Sequence, residues 1–243
     1  MELRIFKDNE ALSTTAAEIF VQAGMDATNA HRHFLVALSG GGTPSGMYRL
    51  LASNPYREKV NWEKTFVFWG DERCVPPNDT GSNYHQAMDT FLSHVSIPDE
   101  NILRIKGELE PAEAAKNYIH TLKRFASPPL DWPRFDLVLL GMGDDGHTAS
   151  LFPGSPVDSS TPALAVTAHY QGRPANRVTL TPPVFNSAQI VLFLVTGENK
   201  AVTLSHVLSD VSMTEQYPAQ RIQPTDGKVI WLVDEAAGSK LRQ

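Results

Sequence analysis

His147 is the side chain of this sequence best placed to move a proton. It closes Gly141-Met142-Gly143-Asp144-Asp145-Gly146-His147, a glycine-punctuated segment directly after an apolar run. A neutral imidazole near pH 7 acts as a general base, and a carboxylate beside it orients the ring and stabilises its cation. Asp144 and Asp145 both offer that carboxylate. The other seven histidines (His31, His33, His85, His94, His120, His169 and His206) lack this setting and read as capping or solvated residues.

A second constellation is Ser39-Gly40-Gly41-Gly42-Thr43-Pro44. Glycine amides approach an anion closely, and a helix that opens near Pro44 adds its dipole, which suits a phosphate or oxyanion. The same loop also reads as a tight strand–helix turn. It is not a Walker A loop, since no Gly-Lys-Ser/Thr follows, and Ser45 stands at the third glycine of G-x-G-x-x-G. Arg73, Arg177 and Lys200 are the cations to match an anion, Arg as a planar fork and Lys as a point charge. Singly, each also fits a surface ion pair with a neighbour such as Glu72 or Glu198. No G-x-S-x-G nucleophile is present, and Cys74 beside Val75-Pro76 reads as packing. The residues point to metal-free hydrolysis or isomerisation of a phosphorylated small molecule.

Elements that must position these groups are visible as apolar runs. Phe34–Leu38, Thr65–Trp69, Phe135–Leu140, Ile190–Val195 and Val229–Val233 are nearly continuous in apolarity, the pattern of strands covered on both faces. Leu12, Ala16, Ile19, Phe20 and Ala23 share a helical face, as do Tyr118, Leu122 and Phe125 after a Pro111 start. The alternation predicts an α/β fold, an open and mostly parallel sheet with helices on both faces. Ligands of such sheets bind beyond the carboxyl ends of the strands, where each cluster above falls, so the expected site is assembled from four loops.

Composition bounds the rest. The 243 residues are 42% apolar and 20% charged, and they fit a single domain over 1–243. A formal charge of −6 argues against nucleic acid and anionic membrane as partners. One cysteine permits neither an intramolecular disulfide nor a Cys-rich zinc site and suits the reducing cytoplasm. Met1-Glu2-Leu3-Arg4-Ile5 is too charged for a signal peptide, and the apolar runs fall short of the roughly 20 residues that span a bilayer. Oligomeric state has no signature in the sequence.

In order along the chain, Leu38–Pro44, Trp69-Gly70-Asp71-Glu72-Arg73, Gly141–Pro153, Arg177–Thr181, Gly197-Glu198-Asn199-Lys200-Ala201 and Pro218-Ala219-Gln220 resemble the family of 6-phosphogluconolactonases and glucosamine-6-phosphate isomerases/deaminases. The resemblance implies a Rossmann-like fold, a sugar-phosphate substrate and no cofactor. The family's deaminase branch carries a Glu five residues after the motif His to assist ring opening, whereas this chain has Phe152. A phenyl ring relays no proton, and Asp71-Glu72-Arg73 fits the lactonase pattern. The implied activity is hydrolysis of 6-phospho-D-glucono-1,5-lactone in the oxidative pentose phosphate pathway. On that basis His147 is expected to activate water, with Asp145 as the carboxylate near it and Asp71 orienting the base or the substrate hydroxyls. Arg73, Arg177 and Lys200 are expected on the phosphate together with Gly40, Gly41, Gly42 and Thr43, and a Gly41 or Gly42 amide on the oxyanion.

Overall fold

The computed structural model describes residues 1–31, 33–155, 160–209 and 211–241. Its strands are β1 (Glu2–Phe6), β2 (Phe34–Leu38), β3 (Thr65–Trp69), β4 (Asp71–Arg73), β5 (Ile102–Leu103), β6 (Leu137–Gly141), β7 (Ala163–Thr167), β8 (Asn176–Leu180), β9 (Ile190–Val195) and β10 (Lys228–Asp234). The helices are α1 (Asn9–His31), α2 (Gly42–Leu51), α3 (Tyr56–Lys59), α4 (Asn83–Thr90), α5 (Pro111–Lys123), α6 (Pro182–Asn186), α7 (Ala201–Val207) and α8 (Glu235–Gly238).

Among the described residues, seven strands form one sheet in the order β1-β10-β9-β6-β2-β3-β5, with every pairing parallel. Its interior strands are apolar almost without interruption because helices cover the sheet. Val36–Leu38 and Val191–Val195 are buried throughout, and α1 packs on β2, β9 and β10. Phe193 of β9 and Trp231 of β10 are register partners whose rings stack at 3.8 Å. The helices start where local chemistry satisfies their free amides. Asp8 accepts from Ala11 N–H before α1, Ser82 from His85 N–H before α4, and Glu110 from Ala112 N–H ahead of Pro111 in α5.

Among the differences from the expectation, two concern the segments that lead into the site. β6 starts two residues later than the apolar run, since the Asp136 carboxylate accepts from Leu35 N–H at 2.8 Å in front of the ladder. Asp71–Arg73 is a strand instead of a loop, and with β8 and β7 it forms a second, antiparallel sheet. The two sheets are joined at Gly70, whose N–H donates to Leu38 C=O while its own carbonyl accepts from Leu180 N–H, both at 2.8 Å.

Helix α5 packs on β7 and β8, and from there the Tyr118 hydroxyl accepts from Trp69 N–H at 2.9 Å and donates to Trp69 C=O at 2.8 Å. All of these groups are buried, so removing the hydroxyl strands two backbone groups. Tyr118→Phe is expected to lower unfolding free energy by about 1–3 kcal/mol, read from the urea midpoint. An unchanged midpoint would mean that water replaces the hydroxyl.

Candidate active site

The chain runs from β2 outward to β3 and β5 on one side, then returns to place β6 on the other side of β2. That reversal opens a crevice at the carboxyl ends of β2 and β6, the usual ligand position in a doubly wound sheet. The glycine loop after β2 and the His147 loop after β6 face each other across a cleft of about 240 Å³. The short strand β4, the β7–β8 hairpin and the segment after β9 complete its wall.

His147 and Asp145 are paired. Asp145 Oδ1 lies 2.6 Å from His147 Nδ1 and also accepts from the His147 backbone N–H at 3.0 Å. Burial by itself would raise the Asp145 carboxyl; the hydrogen bonds and charge of His147 outweigh it and hold the carboxyl below its ordinary value. The ionised Asp145 carboxylate therefore adds to stability above the ordinary carboxylate range, and this contribution is lost as pH falls through the lowered value. Asp144 turns away: its Oδ1 accepts from the Tyr170 hydroxyl at 2.6 Å, and its carbonyl from Thr203 at 2.6 Å.

Two aromatic rings hold the imidazole. Phe152 stacks on it at 4.3 Å between centroids, and Tyr170 meets it edge-on at 4.6 Å. The Arg177 guanidinium lies 5.2 Å from the Phe152 centroid. Burial, then the Asp144 hydrogen bond, push the Tyr170 phenol up to about 12, so it stays protonated at neutral pH.

The cleft is rich in cations. Arg73, Arg173, Arg177 and Lys200 all line it, and none pairs with a carboxylate of the described residues. Arg73 donates through Nη1 to Gly81 C=O at 2.6 Å, and Arg177 through Nε to Pro174 C=O at 3.1 Å. Arg73 Nε and Arg177 Nη2 are buried with no acceptor among the described residues. Buried donors without partners in a cleft fit an anionic ligand. Burial depresses Lys200 and Arg177, opposed by Asp144 and Asp234 for the lysine and by Asp71 for the arginine, while Arg173 pushes both further down.

His147, Asp71, Gly40, Gly41, Gly42, Thr43, Arg73, Arg177 and Lys200 all line this cleft; Asp145 supports His147 from behind, and Asp144 is turned away. Asp71 is not bonded to His147; its carboxylate accepts from Ser150 Oγ at 2.7 Å and from Asn83 Nδ2 at 3.3 Å. The Gly41 amide is not free for an oxyanion, because it donates to Gln86 Oε1 at 2.9 Å. Gly40 is fixed by close approach: a Cβ there would overlap Asn83 Oδ1. Lys200 ends a short 3-10 turn and caps α7.

Sequence reasoning missed Asn83, Tyr170, Arg173 and Gln86. The cluster Tyr170-Gln171-Gly172-Arg173 carried a signal, an aromatic and a cation around a glycine turn, but only the β7–β8 pairing brings it over the site. Cys74 is half-buried, and burial followed by Glu72 and Glu110 push its thiol up to about 11, which leaves little nucleophilic thiolate. Among the described residues, no group of three His, Cys, Asp or Glu converges on a metal-sized point, and no helix is long and apolar enough to cross a membrane.

Comparison with known proteins gives one consistent result. A family model described as glucosamine-6-phosphate isomerases/6-phosphogluconolactonase matches residues 7–231. The chain is 38% identical to the 6-phosphogluconolactonase of Nostoc sp., covering 98% of each. It is 37% identical to the probable 6-phosphogluconolactonase 1 of Arabidopsis thaliana, covering 99% of this chain and 93% of that protein. Among solved structures it resembles the 6-phosphogluconolactonase of Trypanosoma brucei, at 29% identity and a TM-score of 0.86, over 99% of this chain and 98% of that one.

Proposed function

The chain belongs to the glucosamine-6-phosphate isomerase/6-phosphogluconolactonase family, and from that premise we propose that it hydrolyses 6-phospho-D-glucono-1,5-lactone to 6-phosphogluconate by His147-activated water. One observation carries this reading: His147, backed by Asp145, lines the same cleft as a set of cations without carboxylate partners among the described residues. Asp145 holds the Nδ1 proton, which leaves Nε2 to take a proton from water. The hydroxide adds to C1, and the carbonyl oxygen becomes an oxyanion. Collapse breaks the C1–ring oxygen bond, and the His147 imidazolium returns its proton to that oxygen.

Arg73, Arg173, Arg177 and Lys200 take the phosphate and orient the lactone toward His147. Phe152 favours hydrolysis over isomerisation, because a ring stacked on His147 supplies no second acid–base group. Asp71, held by Ser150 and Asn83 next to Arg177, keeps that cation charged and in place and accepts from substrate hydroxyls. The chain acts as a single α/β unit, in a reducing cytoplasm that suits its lone Cys74.

The deciding assay offers 6-phosphogluconolactone and glucosamine 6-phosphate side by side, with spontaneous lactone hydrolysis subtracted. Acid release from the lactone without ammonia or ketose phosphate from the amino sugar supports the proposal; the reverse sinks it. Within that assay, Arg73→Ala is expected to raise KM for the phosphorylated lactone by roughly tenfold or more and to leave unphosphorylated glucono-1,5-lactone nearly unaffected. Equal losses on both substrates would remove Arg73 from the phosphate.

A further inference from the structure

One side-chain amide from α4 grips the glycine loop at two points. Gln86 Oε1 accepts from Gly41 N–H at 2.9 Å, and Gln86 Nε2 donates to Gly41 C=O at 2.6 Å and to Ser45 Oγ at 2.7 Å. Gly41 needs such a grip. Its φ of 103° lies in the left-handed region open to glycine, and as the N-cap of α2 it has no side chain to close the helix. With Gly41 N–H taken by Gln86 and Pro44 lacking an N–H, the first-turn amides left to a ligand next to the loop are those of Gly42 and Thr43.

Helix α4 is itself fixed to the strand that carries Arg73. The buried Glu72 carboxylate accepts from the backbone N–H groups of Arg73, Asn83 and Tyr84, each at 2.7 Å, and from Ser82 Oγ at 2.9 Å. A continuous path of hydrogen bonds therefore runs from β4 through α4 and Gln86 to the glycine loop. It sets the Gly42 amide at a fixed separation from the Arg73 guanidinium. Gly41, Gly42, Arg73 and Arg173 line the cleft and also, with Gln86, a neighbouring pocket that His147 does not line. Arg177, which also lines the cleft, is only 2% exposed and keeps a donor without an acceptor among the described residues.

We propose that Gln86 is a positioning residue for the substrate phosphate: its amide locks the Gly41 peptide so that the Gly42 and Thr43 amides meet the phosphate together with Arg73. This rests on the reading of the cleft as a phosphorylated-lactone site. It goes further in naming the side chain that holds the glycine-loop amides where the phosphate meets Arg73.

Two near-isosteric variants test it. Gln86→Glu keeps an acceptor for Gly41 N–H but turns a repulsive oxygen toward Gly41 C=O; Gln86→Met removes both bonds. Each is expected to raise KM for 6-phosphogluconolactone roughly tenfold, to leave kcat within about threefold, and to spare kcat/KM for unphosphorylated glucono-1,5-lactone. A merely structural residue would instead lower both substrates in parallel along with thermal stability, and that result overturns the proposal. Wild-type protein offers a test free of folding risk. Inorganic phosphate should shift the Gly42 and Thr43 amide resonances, and the Gly41 amide should be protected from hydrogen exchange. A freely exchanging Gly41 amide overturns the clamp. If wild-type protein does not hydrolyse the phosphorylated lactone, the reading of the cleft fails and the proposal falls with it; if wild type does and both variants keep its preference, only the role of Gln86 fails.

Discussion

His147→Ala is expected to lower turnover of 6-phosphogluconolactone by roughly 10²-fold or more, with the fold intact by circular dichroism. Among the described residues, the imidazole is the one group in the cleft with a supporting carboxylate on one nitrogen and no partner on the other. Asp145→Asn is expected to cost a similar factor by a different route. The carboxylate only accepts, so it keeps the proton on Nδ1 and the lone pair on Nε2. A carboxamide can donate to Nδ1 and stabilise the opposite tautomer, which cannot take a proton at Nε2. The two changes are therefore expected to be far from additive, since both disable one proton acceptor. Near-wild-type turnover by folded His147→Ala, after subtraction of the spontaneous rate, would take the histidine out of the reaction.

Gly143→Ala is expected to lower turnover by about the same order, roughly 10²-fold, without touching either member of the pair chemically. A Cβ on Gly143 would overlap His147 Nδ1 and Cε1 and would stand 2.6 Å from Asp145 Oδ1. Backbone atoms cannot yield easily, because Gly143 N–H donates to His147 C=O at 2.9 Å and Gly146 N–H to Gly143 C=O at 3.1 Å. The ring must then rotate off its aspartate and off the face of Phe152. The cations of the cleft are untouched, so affinity for 6-phosphogluconate should stay within about threefold of wild type while kcat falls. A variant that keeps its kcat would show that the imidazole has room to shift at no cost.

The large sheet was legible because its interior strands are buried on both faces, and burial writes continuous apolar runs such as Phe34–Leu38 and Ile190–Val195. The small sheet left no such trace. Asp71-Glu72-Arg73 is a strand of three charged residues, buried because Glu72 collects four donors and Asp71 is held by Ser150 and Asn83. Hydropathy registers such a segment as a loop. β1 was missed for the opposite reason: it is an exposed edge strand with charged residues between its apolar ones. At the site, glycine punctuation and residue type were enough to single out His147, Arg73, Arg177 and Lys200, which line the cleft, but left Asp144 and Asp145 as equal candidates beside His147. Gln86 and Arg173 were not found, since Gln86 acts only through the backbone of a loop 45 residues away, and Arg173 reaches the cleft only through the turn of the β7–β8 hairpin.

The pairing of β1 with β10 has a consequence in time. Residues 2–6 leave the ribosome long before the strand they pair with, Lys228–Asp234. β10 is also the element that separates β1 from β9, so β1 has no place in the sheet until that late stretch arrives. During synthesis residues 2–6 must wait unpaired, a state open to chaperones and to proteases. Docking of residues 2–6 is therefore a late event of biogenesis, and protection of this segment from proteolysis on stalled nascent chains should appear only once residue 234 has cleared the exit tunnel.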